Sequence, residues 1–120
     1  MCIFCEKKFD IVYEDEVVYV IYDGFPVSKG HVLVITKAHR QDYFEATLNE
    51  KKSIDKALLH MKVTLDRLFQ PDGYNIGINN GVSAGQTVRH LHVHLIPRYT
   101  GDMENPRGGV RGVIPSKQAY

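Results

Sequence analysis

His90-Leu91-His92-Val93-His94-Leu95-Ile96-Pro97 carries three of the chain's six histidines at alternate positions. The apolar residues between them mark a strand, and successive side chains of a strand point to opposite faces. The three imidazoles therefore share one face, about 7 Å apart at each step, while Leu91, Val93 and Leu95 turn toward an apolar layer. A solvated strand would show Lys, Glu and Thr on its polar side; a face made wholly of imidazole marks a site. Two chemistries compete for it. His-x-His on a strand is a catalytic-metal arrangement, since imidazole binds zinc and iron well. A metal hydrolase would add carboxylates, yet Asp and Glu are absent from Asn75 through Thr100. That absence favours the imidazole itself as the reacting group, because neutral histidine is a nucleophile and forms covalent phosphoryl intermediates.

Upstream of the triplet, Gly81-Val82-Ser83-Ala84-Gly85-Gln86-Thr87 supplies glycines that let backbone N–H groups approach a ligand closely. Gln86 and Thr87 add neutral donors, and such groups bind phosphate oxygens and stabilise the charge of a transition state. Further back, Val17 to Tyr22 is a β-branched and aromatic run, hence a strand, broken by Asp23-Gly24-Phe25-Pro26. His31 to Thr36 is the next strand, entered through Gly30. Thr47-Leu48-Asn49-Glu50 has the form of a capping box. The helix it opens carries Ile54, Leu58, Met61, Leu65 and Leu68 as one apolar stripe. Pro71-Asp72-Gly73 closes that helix, and Tyr74 to Asn79 forms another strand. A short strand near Ile11 to Tyr13 fits as well. Beyond Thr100, Gly and Pro accumulate without periodicity. The order of elements predicts an α+β domain over residues 1–99, a mainly antiparallel sheet packed against one long helix, and an irregular tail over 100–120.

The 120 residues suit one domain, and 43% hydrophobic with 24% charged residues is an ordinary globular composition. A formal charge of +1 supplies no global field toward nucleic acid or membrane, so anion recognition must be local. No apolar run approaches the roughly 20 residues that span a bilayer. The N-terminus lacks the pattern of a signal peptide, and the expectation is a cytoplasmic protein. Both cysteines lie in Cys2-x-x-Cys5. The pair is half a metal site, a redox pair, or neither.

Gly85-Gln86-Thr87 followed by His90-Leu91-His92-Val93-His94-Leu95-Ile96 resembles the signature of the histidine triad (HIT) superfamily. The likeness extends to Tyr13-Glu14-Asp15-Glu16, Asp23, Gly30-His31-Val32-Leu33-Val34-Ile35, Lys37, His39 and Asn79, roughly residues 2 to 99. It implies a HIT-like fold of about five strands and a homodimer. It also implies a purine nucleotide or dinucleoside polyphosphate as ligand, cleaved at the α-phosphate through a covalent nucleotidyl-histidine. By that resemblance His92 is the nucleophile, His94 contacts the phosphate and His31 supports the triad. Gln86 and Thr87 match the phosphate-binding pair, Asp23 the ribose-binding position, and Asn79 a group near the phosphate or leaving group. No catalytic metal is required by that scheme.

Similar bacterial HIT proteins carry Cys-x-x-Cys on a structural zinc. The matching set here is Cys2, Cys5, His39 and His90, a Cys₂His₂ donor set suited to tetrahedral zinc. His60, in the helix, reads as a surface or packing residue. Arg98, after the triplet, and Arg107 and Arg111, in the tail, either reach the outer phosphates of a polyphosphate or are solvated. The leading expectation is a dinucleoside polyphosphate hydrolase, with diadenosine tetraphosphate as the example. The alternatives are a Hint-like purine nucleoside phosphoramidase, a nucleotide-binding regulatory protein with incidental turnover, and a catalytic metalloenzyme.

Overall fold

The computed structural model describes residues 2–120. After a short N-terminal helical turn, α1 (Ile3–Glu6), come β1 (Tyr13–Glu14), β2 (Val18–Tyr22) and β3 (Val32–Thr36). The long helix α2 (Leu48–Phe69), β4 (Gly73–Gly77) and β5 (His92–Arg98) follow. The strands form one sheet in the order β1-β2-β3-β5-β4, every neighbouring pair antiparallel. β5 thus lies inside the sheet, paired on one side with β3 (Ile35 opposite His92, Leu33 opposite His94) and on the other with β4 (Gly77 opposite His94). An interior strand with both ladders filled is a rigid platform for a reacting side chain.

Alternation along the strands sorts the core into two layers. Val18, Val20, Val32, Val34, Leu91, Val93 and Leu95 pack against Ile54, Ala57, Met61 and Leu65 of α2. On the other side Tyr19, Ile21, Leu33 and Ile35 pack against Phe4 of α1. β2 and β3 are therefore buried on both faces, which is why both read as continuous apolar runs. The histidines emerge on the face opposite α2.

Thr47 caps α2 reciprocally with Glu50, as the sequence predicts. Several boundaries differ from the sequence reading. β5 begins at His92, because the amide of Leu91 donates to the carbonyl of Arg40 (2.7 Å), outside the sheet ladder. β4 ends at Gly77, earlier than expected. β1, expected near Ile11 to Tyr13, falls at Tyr13–Glu14. Within the predicted stripe of α2, Leu68 is 55% exposed, and Phe69 packs on the core in its stead. The tail contains two short 3-10 turns, Gly109–Val113 and Pro115–Lys117, the first lying against β4. Among the described residues no helix is long and apolar enough to cross a membrane.

Candidate active site and metal centre

The chain just ahead of β5 fixes the tautomer of His92. His92 is buried, and its Nδ1 lies 2.8 Å from the carbonyl of His90. A carbonyl only accepts, so Nδ1 carries the proton and Nε2 keeps its lone pair. A second chain of hydrogen bonds runs behind His94. The amide of Val27 donates to Nδ1 of His31 (3.0 Å), which places the proton of His31 on Nε2. That N–H faces Nδ1 of His94 at 2.9 Å and Oδ2 of Asp23 at 3.4 Å. His94 Nδ1 is then the acceptor and His94 Nε2 the donor. Burial holds His31 below the usual histidine range, against the pull of Asp23. Burial, with the imidazoles of His92 and His31, pushes His94 down to about 4. Both are neutral near pH 7, so the tautomers, not charges, organise the pair.

These groups open on a cleft of about 360 Å³. Its polar lining is Asp23, Asn79, Thr87, His92 and His94; its apolar walls include Ile3, Phe4, Phe9, Ile21, Phe25 and Leu33. Asp23 spends Oδ1 on the amide of Phe25 (2.9 Å), a turn that sets Oδ2 beside the histidine pair. Phe25 is 92% exposed. The cleft therefore joins an apolar-walled part to a polar end where one imidazole nitrogen, Nε2 of His92, keeps a lone pair that no donor among the described residues occupies. That combination suits an aromatic base attached to a phosphate.

Gln86 is placed elsewhere. It is buried, its Oε1 accepts from the amide of Gly81 (2.8 Å), and its Nε2 donates to the carbonyls of Gln41 (2.6 Å) and Val88 (3.0 Å). The amides of Ala84, Gly85 and Gln86 turn back onto the carbonyls of Gly81 and Val82. The loop expected to offer open N–H groups is thus closed on itself as a 3-10 turn over Val82–Ala84, held by Gln86; Thr87, at its end, is the residue that reaches the cleft. The tail arginines also point away from it. Arg98 is bidentate to Asp102 (2.8 Å for each bond) and reaches Asn75, Arg107 and Arg111 lie over the ring of Tyr120, and Arg111 donates to the carbonyls of Lys117 and Gln118. His60 is exposed and lies against the ring of Tyr13 with centroids 4.5 Å apart, the packing role expected of it.

Cys2, Cys5, His39 and His90 come together as the sequence comparison implied. One donor atom from each lies within 4.8 Å of all the others. Cys2 Sγ is 3.2 Å and Cys5 Sγ 3.4 Å from Nδ1 of His90, and Cys5 Sγ is 3.2 Å from Nδ1 of His39. Ideal zinc bond lengths put neighbouring S and N ligands about 3.5 Å apart in a tetrahedron. His90 is set for ligation, because its Nε2 donates to the carbonyl of Thr36 at 2.7 Å and leaves Nδ1 unprotonated toward the cysteines. The donor set fits zinc. Of the three triplet histidines, His90 thus faces the metal cluster, while His92 and His94 face the cleft.

Sequence reading did not single out Phe4, Phe25 or the amide of Val27. The doubly apolar character of β2 and β3 was a usable signal for Phe4, since it requires a second covering layer opposite α2. The role of Val27, a backbone group, leaves no trace in residue identity.

An antiparallel sheet presents an oriented histidine pair above a small cleft, and the comparisons with known proteins place that architecture. The HIT domain profile matches residues 5–101. An uncharacterized HIT-like protein of Methanocaldococcus jannaschii is 44% identical over 109 residues, 87% of this chain and 84% of that one. A HIT family protein from Bacillus anthracis superposes with a TM-score of 0.79 at 42% identity, over 84% of this chain and 75% of that one. A zinc-bound histidine triad family protein from Mycobacterium smegmatis superposes with a TM-score of 0.78 at 33% identity, over 87% and 79% of the two chains. This chain belongs to the HIT family. Two relatives named as enzymes match smaller shares of their own length. One is an adenylylsulfatase of Arabidopsis thaliana, 35% identical over 84% of this chain and 54% of that protein. The other is an asymmetrical bis(5'-nucleosyl)-tetraphosphatase of Schizosaccharomyces pombe, 38% identical over 64% of this chain and 42% of that protein.

Proposed function

We propose that this protein is a nucleotide hydrolase that acts at the α-phosphate through a covalent nucleotidyl-histidine, with dinucleoside polyphosphates such as diadenosine tetraphosphate as its substrates. The observation that carries the reading is the tautomer of His92, which presents an Nε2 lone pair into an apolar-walled cleft. The names of the two enzymatic relatives, an adenylylsulfatase and an asymmetrical bis(5'-nucleosyl)-tetraphosphatase, support it. The base lies between the apolar walls and the ribose hydroxyls bond to Asp23. Thr87 and Asn79 hold phosphate oxygens, and Gln86 serves by fixing the loop that carries Thr87.

In the first step Nε2 of His92 forms a bond to the α-phosphorus as the bridging P–O bond breaks. The leaving nucleotide departs with those electrons and takes a proton from solvent, while Nε2–H of His94 hydrogen-bonds a phosphate oxygen. The positive charge gained by His92 is offset by the His90 carbonyl at Nδ1. In the second step water attacks the phosphorus and gives a proton to solvent, the N–P bond breaks with its electron pair returning to Nε2, and His92 is again neutral. Cys2, Cys5, His39 and His90 would hold zinc, which would fasten the N-terminal turn to the sheet, and none of these steps draws on it.

Diadenosine tetraphosphate and adenosine phosphoramidate offered side by side to the protein and its His92→Ala variant test this reading. Faster turnover of the tetraphosphate, a mass increase of one adenylyl group on the trapped wild type and an inert variant are expected. Preference for the phosphoramidate replaces the substrate with the Hint-like one, and an active variant removes the mechanism. A homodimer is part of the proposal, and light scattering on the purified chain checks it.

A further inference from the structure

Phe4 lies between the two halves of the site. It sits inside the Cys2–Cys5 turn, where the amide of Cys5 donates to Sγ of Cys2. Its side chain leaves that turn for the other side. It is 5% exposed, and its ring meets His90 edge-on at 5.9 Å and His92 at 5.1 Å between centroids. The same ring forms part of the cleft wall. Its carbonyl is held by the hydroxyl of Tyr19. The neighbouring Ile3 also lines the cleft. One wall of the cleft is therefore a four-residue helix, far shorter than the roughly 12 residues at which an isolated helix begins to hold its shape. What fastens it to the sheet are its own apolar side and the cysteine pair that bracket Phe4.

We infer that Phe4 couples the metal centre to the nucleotide cleft, so that occupancy of either raises the affinity of the other. The inference rests on the proposed nucleotide reading of the cleft. Ligation of Cys2 and Cys5 orders the turn and so sets the Phe4 ring against His92 before a nucleotide arrives, removing an ordering cost from its binding. Thermodynamic linkage then requires the reverse effect of equal size: a nucleotide packed on Phe4 opposes withdrawal of the metal. Phe4 is a positioning residue in this scheme and donates nothing to the metal.

The test is zinc withdrawal from metal-loaded protein by a chromophoric chelator, with and without saturating AMP. AMP binding is followed in parallel by calorimetry. AMP is expected to tighten the apparent zinc affinity about fivefold or more. Direct chelation by the phosphate would act in the opposite direction. In Phe4→Ala, and in Phe4→Leu as the variant that keeps an apolar plug, zinc stoichiometry is retained and the AMP effect disappears. In Phe25→Ala, on the cleft wall away from the cysteines, AMP binds more weakly but at saturation still protects the metal. The inference is overturned if AMP binds the wild type without changing zinc withdrawal, or if Phe4→Leu keeps the full effect. Should AMP fail to bind the wild type at all, the nucleotide reading falls and takes this inference with it.

Discussion

His94 and His31 make stability depend on pH in a way that can be signed. His94 titrates at about 4 in the folded protein, below the ordinary 6.5, and His31 is lowered with it. Between those limits the unfolded chain binds more protons than the native one, so stability rises with pH. The contribution is fully present above about pH 6.5 and is lost as pH falls toward 4; for His94 it is on the order of 3 kcal/mol. The urea midpoint should fall between pH 7.5 and 4.5, and less so in His94→Leu; equal slopes for the two proteins would refute the assignment. Gln86→Ala removes three bonds to backbone groups and should cost about 1–3 kcal/mol in a denaturant titration. The histidine triplet was legible because its period of two has few other causes. The inward turn of Gln86 was not, since a side-chain amide bonds a loop backbone as readily as a phosphate.

α2 shows which element-level features can be read from composition alone. Its cap was written in the residues: Thr47 accepts from the amide of Glu50 at 3.1 Å, and Glu50 accepts from the amide of Thr47 at 2.8 Å. Glu50 also takes both oxygens to Nε of Arg40; burial pushes its carboxyl up, but Arg40 and the Thr47 amide outweigh that and hold it below the usual range. Thr47→Ala should therefore lower stability by about 1 kcal/mol, read as a shift in thermal midpoint. Met61, buried between helix and sheet, should cost about 2–5 kcal/mol on truncation to Ala. Gly30 sits at a φ of 92°, with a ring carbon of Phe69 2.9 Å from where a Cβ would stand. Strand identities and order were legible; strand ends were not, because they are set by competing tertiary bonds such as Leu91 to Arg40. The covering of the second face by α1 escaped a local reading, since four residues hold too little pattern to show which sheet they will meet.

The whole molecule is a sheet with α2 on one side and a small N-terminal cover on the other, and the tail adds little to either. Its first 3-10 turn rests on the β4 edge and the second packs on the first, and Arg107 and Arg111 find their partners within the tail itself. A chain ending at Met103 should keep its fold and cleft and lose about 1 kcal/mol, or about 4–8 °C in Tm; collapse of the truncated protein in circular dichroism would show the tail to be part of the domain. The bond from the Leu91 amide to the Arg40 carbonyl has a consequence at this scale too. It joins the residue after one imidazole of the metal cluster to the residue after another, and everything from α2 to the closed loop lies in the chain between them. That one peptide group is a clasp on half the polypeptide. Its amide proton should exchange with deuterated solvent among the slowest while the cluster is ligated and among the first when the ligand is drawn off, a clock for the opening of the protein that can be read from a single resonance.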